Sequence, residues 1–541
     1  MVVTAPNPIH GTSAPTASWS TVNLSEAVPG PVTPLGWSVW SPAGELGGRV
    51  PFYAMGAIPK ALLALPTRSE DRILNVFYGR VALRVDFMCE MGDLVPGTSG
   101  EALGNQVFGF VPETFVSSPS RRRYPIIAVK FPPTFVRIPS LIRRARAETE
   151  PWWRAETART PGLDLAGARA QLQGGIDRFT ANLSLQATAI ACAIQVVYDQ
   201  LSVLAAKAGV DQAALMSGHG SHEETAIIDD LWAVSRDRMS LPQFVARHGY
   251  HGPFEGELSG VSWREDPAPL HKVLDGYRSM GEDAAPAAAE AARATARREA
   301  EAQLMASLPR SGRAQARLVL RLAGRYLPLR GVGKVAFLQS LDVARAAARR
   351  LGVLLADGHV LAEPDDVFYL TADEVLGSPP PDAKDLVAER REIRDGYRTL
   401  RLPTFWTGEP VYELIEDLDV AAASAAAAGT TRSLTGVGVS AGVAEGPARV
   451  VTDPALADME PGDILVAHTT DPSWASLMFM AAALVVDIGG QLSHAAVVAR
   501  ELGIPCVMNT LDGTRALHDG DRLRVDGAAG TVEILTRAPS T

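Results

Sequence analysis

The chain has 541 residues, 47% of them hydrophobic and 21% charged, with a formal net charge of −10. At roughly 100–200 residues per domain, this length predicts about three or four structural units, each apolar enough to bury a core. The balance excludes global disorder, a collagen-like chain and a disulfide-framework protein, and it argues against a nucleic-acid footprint.

Three cysteines, Cys89, Cys192 and Cys506, stand far apart with no CxxC spacing. They read as reduced thiols of a cytoplasmic protein. No continuous apolar run reaches the roughly 18 residues that a membrane helix needs. The N-terminus lacks a basic segment followed by an apolar one, so neither a secretory leader nor a membrane span is expected.

In chain order, residues 1–18 are rich in Pro, Ser, Thr and Ala and are expected to be a disordered tail. The segment from Asn23 to Trp40 holds three prolines and two glycines, which predicts an ordered loop rather than a long element. Residues 73–87 carry β-branched and aromatic residues in partial alternation and read as one or two strands. From about 165 to 400 the pattern is mainly helical. Helices are expected over 165–207, from a capping box at Ser221–Glu224, over 287–308 and over 335–352. Residues 417–433 are small and polar and read as a hinge linker.

After this linker, short strands alternate with glycine turns over 434–537, with helices expected at Ser473–Ala483 and Ser493–Leu502. The predicted fold class is therefore α+β and multidomain. A large, mainly helical domain with a β-containing N-terminal part spans 19–416, and a small α/β domain spans 434–537.

The sharpest chemical feature lies in the small domain. A strand runs into Gly489 and Gly490, and Ser493 and His494 then open a helix of small residues ended by Gly503 and Pro505. Glycines permit close backbone approach. A helix N-terminus offers free N–H groups and partial positive charge, a natural seat for phosphate. Ser493 can cap the helix or donate to a phosphate oxygen. An imidazole at such a seat can attack phosphorus and form a phosphoramidate. The bland alternative is that His494 merely opens a helix in a βα unit.

The segment Gly489-Gly490, Ser493-His494-Ala495-Ala496, Ala499-Arg500-Glu501, Gly503-Ile504-Pro505 resembles the swivelling phosphohistidine domain of the PEP-utilising enzymes. The turns at Gly438–Gly446 and the Thr470–Trp474 segment fit that pattern too. The resemblance implies that His494 is the phosphorylated residue. A second resemblance covers roughly 20–400. Glu26-to-Leu35, Tyr78-Gly79-Arg80, residues 248–267 and Glu363-to-Leu370 are similar to the antibiotic-binding part of rifampin phosphotransferases. There the family's His-Arg pair is replaced by Tyr250-His251, so an arginine that could clamp phosphate is missing.

His251 is the preferred candidate base, with Glu255 or Glu257 as orienting carboxylates and Arg80 as a further candidate of the acceptor part. The spacing of His219 and His222 is too weak to predict a metal site. No ATP-grasp pattern precedes residue 20, so the resemblance implies that ATP and Mg²⁺ act on a separate ATP-grasp partner subunit. The expected function is transfer of a phosphoryl group from His494 to a hydroxyl of an apolar small molecule. The alternatives are a dehydratase or lyase, and a non-catalytic binding subunit.

Overall fold

The computed structural model describes residues 7–216, 222–416, 418, 433–454, 456–490 and 493–538. The fold is α+β and multidomain. Its contacts divide the chain into two compact units, one of residues 1–193, 256–260 and 332–416, the other of residues 194–255, 261–331 and 417–541. The expected 19–416 domain is thus divided, and its middle helices join the C-terminal α/β part. Nearly all of the expected hinge, residue 417 and residues 419–432, lies outside the described residues.

The first unit combines an antiparallel sheet with long helices. Strands β1 (Ser18–Ser20), β2 (Leu74–Phe77), β3 (Arg80–Arg84) and β4 (Phe405–Thr407) lie in the order β2-β3-β1-β4. Trp19 is fully buried against Phe77, whose ring also meets Trp406. Residues 7–18 are not the expected tail. Gly11 N–H donates to the Val76 carbonyl at 2.7 Å, Gly79 N–H donates to the Ile9 carbonyl at 2.9 Å, and Ile9 and Ala17 are buried. A few apolar residues and a receptive strand outweigh the disorder-prone composition.

Helix α1 (Pro34–Met55) corrects the expected loop at 23–40. Pro34 stands at the first helical position, where its missing N–H costs nothing. The Thr33 side chain accepts from Gly36 N–H, and Gly56 closes the helix at φ +98°. Helices α2 (Tyr124–Arg159) and α3 (Leu165–Ala189) follow. Leu35, Val39, Leu172, Phe179, Leu341 and Leu351 lie in the main core, the last two on the helix Leu329–Asp357.

The helical run Leu165–Ala208 is long and apolar enough, by length and composition alone, to cross a membrane, contrary to the sequence expectation. Its first part carries buried residues of the first unit's core, Ala168, Leu172 and Phe179 among them.

The second unit holds helices α4 (Gln195–Ala208), α5 (His222–Ser235), α6 (Leu241–His248), α7 (Pro269–Ser279), α8 (Pro286–Ser307) and α9 (Arg310–Tyr326). It also holds strands β5 (Ser433–Thr435), β6 (Val437–Ser440), β7 (Val443–Val451), β8 (Ile464–Ala467), β9 (Ala483–Val486), β10 (Cys506–Met508), β11 (Arg522–Asp526) and β12 (Thr531–Thr536). The sheet order is β5-β12-β11-β7-β8-β9-β10-β6. Strands β7 to β10 run parallel in chain order, and β6 closes the far edge antiparallel to β10.

Helix α10 (His494–Leu502) crosses from β9 to β10. The second helix expected here, Ser473–Ala483, is only a 3₁₀ turn at Pro472–Trp474 and one helical turn at Ala475–Met478.

One apolar core joins the two parts of this unit. Ile227, Leu231 and Trp232 of α5 and Leu274 and Tyr277 of α7 share it with Leu477, Met480, Ala496 and Ala499. Trp232 lies 6.0 Å from the Phe479 ring, and the Tyr277 hydroxyl donates to the Ser476 carbonyl at 3.1 Å. Trp232 is buried, so Trp232→Ala leaves a large cavity in this core. It is expected to destabilise the second unit by about 3–5 kcal/mol, read as a lowered midpoint in urea unfolding.

Candidate functional site

The carboxyl ends of parallel strands in an open α/β sheet are where ligands bind, because loops leave the sheet there and helix N-termini face the crevice. In this sheet the loop after β9 carries the predicted motif. Asp487 N–H donates to the Ala467 carbonyl, and Ile488 N–H to that of His468, which extends the ladder to the root of the loop. Gly489 then takes φ +149°, a conformation that disfavours any side chain.

Ser493 is the N-cap of α10. Its hydroxyl accepts from Ala496 N–H and donates to the Met508 sulfur at 3.0 Å. His494 is the first helical residue and is 4% exposed. Gly503 at φ +71° ends the helix. The structure places Gly489, Gly490, Ser493 and His494 at one strand-to-helix junction.

Asp487, directly before the glycines, is a hub that the sequence reading passed over. Its buried carboxylate accepts from Thr510 Oγ1 at 2.9 Å, from the backbone and hydroxyl of Thr514, and from His468 Nδ1 at 3.3 Å. Burial raises its pKa, but the bonds from His468, Thr514 and Thr510 outweigh burial and hold the carboxyl below the usual aspartate value.

The second group lies between α6 and α7. His251 and Glu255 are both buried, with Nδ1 and Oε2 2.6 Å apart. Phe254, at φ +55°, turns the chain so that Glu255 meets the ring. Trp263 N–H donates to the His251 carbonyl at 2.7 Å, which ties the loop to the next segment. His251 and Glu255 are therefore paired as predicted.

Glu257 is not part of this pair. It belongs to the first unit, where it accepts from Thr33 Oγ1 at 2.6 Å and Ser259 Oγ at 3.0 Å and steadies the start of α1. Arg80 also belongs to the first unit. Its guanidinium donates to the carbonyls of Tyr78, Tyr397 and Leu400, and burial pushes its pKa down to about 10. These bonds make Arg80 a backbone clamp. His219 lies outside the described residues.

Sequence reasoning also missed Asp230, on α5. Its Oδ2 lies 2.8 Å from His248 Nε2, and Arg247 donates to the same carboxylate. Burial raises the Asp230 pKa, yet these bonds hold it below the ordinary value. No local spacing links residue 230 to residue 248, so only the packing of α5 on α6 reveals the pair.

Asp487 is acidified by folding, so its stabilising contribution is complete above the ordinary aspartate range and is lost as pH falls through its lowered value. Asp487→Asn is expected to lower the melting temperature at neutral pH. The gap from the parent should narrow on acidification through that window, as followed by thermal unfolding at a series of pH values.

Residues 459–530 match the model described as PEP-utilising enzyme, mobile domain, and residues 197–331 match the rifampicin phosphotransferase fourth domain. Rifampicin phosphotransferase of Streptomyces sviceus is 33% identical over 327 residues, covering 58% of this chain and 36% of that protein. The rifampicin phosphotransferase of Bacillus subtilis is 28% identical over 311 residues, 56% of this chain and 35% of its own length. Chondramide synthase of Chondromyces crocatus is 31% identical over 321 residues, 51% of this chain and 8% of that protein. The matched stretch thus spans about a third of the two rifampicin phosphotransferases. In layout the chain is therefore similar to the rifampicin phosphotransferases, with one stretch like the mobile domain of the PEP-utilising enzymes and another like the rifampicin phosphotransferase fourth domain.

Proposed function

We propose that this protein is a phosphotransferase component in which His494 carries a phosphoryl group to a hydroxyl of an apolar small molecule. The observation that carries the reading is the placement of His494. It opens α10 at the carboxyl end of a parallel sheet, behind a glycine pair and beside the capping hydroxyl of Ser493. Backbone N–H groups and the helix dipole favour a phosphate on that ring.

His251, held by Glu255, serves as base toward the acceptor hydroxyl. Burial of both groups strengthens their mutual electrostatics by excluding water. The phosphoryl donor in this reading is ATP, bound with Mg²⁺ on an ATP-grasp partner subunit. Support for the donor comes from the resemblance to the PEP-utilising enzymes, and the names of the relatives favour transfer over elimination. Rifampicin, named by two of those relatives, is the first acceptor to try.

The test is mass spectrometry at neutral pH on protein purified from its own cells, since phosphoramidates are acid-labile. Phosphate is expected on His494 and is expected to vanish in His494→Ala. An unmodified His494, even after incubation with cell extract and ATP, defeats the carrier reading. His251→Gln should keep the phosphate on His494 and slow its transfer to an acceptor by about 10²–10⁴-fold, the usual worth of a positioned base.

A further inference from the structure

The motif Tyr78-Gly79-Arg80 has no part in the proposed transfer, yet the first unit is built closely around it. Tyr78 and Gly79 form the two-residue turn between β2 and β3, and both stand at positive φ, +47° and +73°. Such turns ordinarily take Asn, Asp or Gly, because a larger side chain at positive φ crowds its own backbone. A bulky residue held there is an outlier, and outliers of this kind point to function.

The turn is tied down on all its backbone groups. Tyr78 N–H donates to His10 Nδ1 at 3.1 Å, and Gly79 N–H donates to the Ile9 carbonyl at 2.9 Å. Arg80 donates to the Tyr78 carbonyl at 3.3 Å, and Val32 N–H donates to the Gly79 carbonyl at 2.8 Å. The strained residue is thus held in one position.

Its ring stands among three others of the same unit. Tyr397, on the helix Ala383–Arg398, lies 5.4 Å away and nearly perpendicular, and Tyr412, after β4, lies 5.1 Å away at 67°. The His10 ring lies 4.5 Å away. Asn7 Nδ2 donates to the Tyr397 hydroxyl at 2.8 Å. Tyr412 is 45% exposed, and Tyr78 and Tyr397 are half-buried, so solvent reaches the cluster.

Glu409 completes the group. It is exposed, accepts from Ser13 N–H at 2.6 Å, and its charge acts on both His10 and Tyr78. Burial outweighs that pull and holds the His10 imidazole below the ordinary histidine value, so the ring brings no competing charge at neutral pH. Aromatic faces beside a carboxylate attract a cation. They favour an alkylated ammonium, the type of cation that aromatic cages recognise.

We propose that Tyr78, Tyr397, Tyr412 and Glu409 form a binding site for the alkylated ammonium group of a small organic cation. The site does not depend on the carrier reading.

The experiment titrates the full chain with choline and with tetramethylammonium, followed by ligand-observed NMR at constant ionic strength. The neutral control is 3,3-dimethylbutan-1-ol, which has the shape of choline without its charge. Both cations are expected to bind saturably, and the neutral alcohol at least tenfold more weakly. Tyr412→Ala, at an exposed position, is expected to weaken choline binding about tenfold, the usual worth of a partly desolvated cation–π contact. Glu409→Gln keeps an acceptor for Ser13 N–H and is expected to weaken both cations while leaving the alcohol unchanged.

Tyr78→Asn separates binding from structure, because Asn suits the turn. Its midpoint in urea unfolding is expected to equal or exceed that of the parent, while choline affinity falls at least tenfold. Absence of saturable binding by either cation overturns the site. So does equal binding of the neutral alcohol, or parent-like choline affinity in Tyr78→Asn or Tyr412→Ala. Should Tyr78→Asn fold poorly, Tyr412→Ala decides by itself. Cosedimentation with phosphatidylcholine vesicles, run alongside, would assign the ammonium group to a lipid headgroup and overturn a free small molecule as its source.

Discussion

The second unit depends on a helix of small residues that has to be buried on more than one side. In α10, Ala495, Ala496, Val498 and Ala499 are each at most 3% exposed. Short side chains let the helix lie close to the sheet beneath it and still meet α5 and α8. A larger residue at any of these positions would push one neighbour away, because protein interiors have little spare volume. The same close packing encloses His494 at the helix start. The apolar pattern that looks merely structural is therefore what keeps water from the His494 ring.

Enclosure has consequences for every ionisable group nearby. A charge taken out of water needs a partner, or its pKa moves until it is neutral. Three carboxylates in this unit follow the rule, and each meets a histidine: Asp487 with His468, Asp230 with His248, and Glu255 with His251. Asp487 also draws in Thr510 and Thr514, which follow β10, and this fixes the strand end from which the glycine-pair loop departs. The unit thus uses one device repeatedly, a buried carboxylate holding a neighbouring ring.

The α/β part was the most legible in the sequence. The glycine pair, the serine cap and the small-residue helix are local signals, and the structure places all of them as read. The His251–Glu255 pair was legible because its members stand four residues apart. The division of the chain was not legible, because it is decided by contacts between α5, α7 and residues more than 190 positions away. Asp230 escaped for the same reason. The expected tail and the expected loop at 23–40 failed differently. Proline and small polar residues were read by composition, whereas a neighbouring strand orders the first segment and a proline at the first helical position starts a helix in the second.

A phosphate carrier has to meet its donor as well as its acceptor, and a ring that is 4% exposed cannot meet a donor outside the unit. In the proposed cycle, charging would require α10 to leave α5 and α8. Among the described residues, the polar links between these parts include three. Lys272–Asp458 is largely exposed, Arg293–Glu501 spans 3.8 Å, and Tyr277–Ser476 is a single hydrogen bond. Exposed ion pairs contribute little to stability. Resistance to opening comes from apolar burial around Trp232, Tyr277, Phe479 and Met480, together with the largely buried Arg293–Glu501 pair. Such burial is non-directional, so the two faces can part and re-form without finding a special polar register. Other directional bonds lie within each part, where they hold the loop before His494 on one side and the paired histidines on the other.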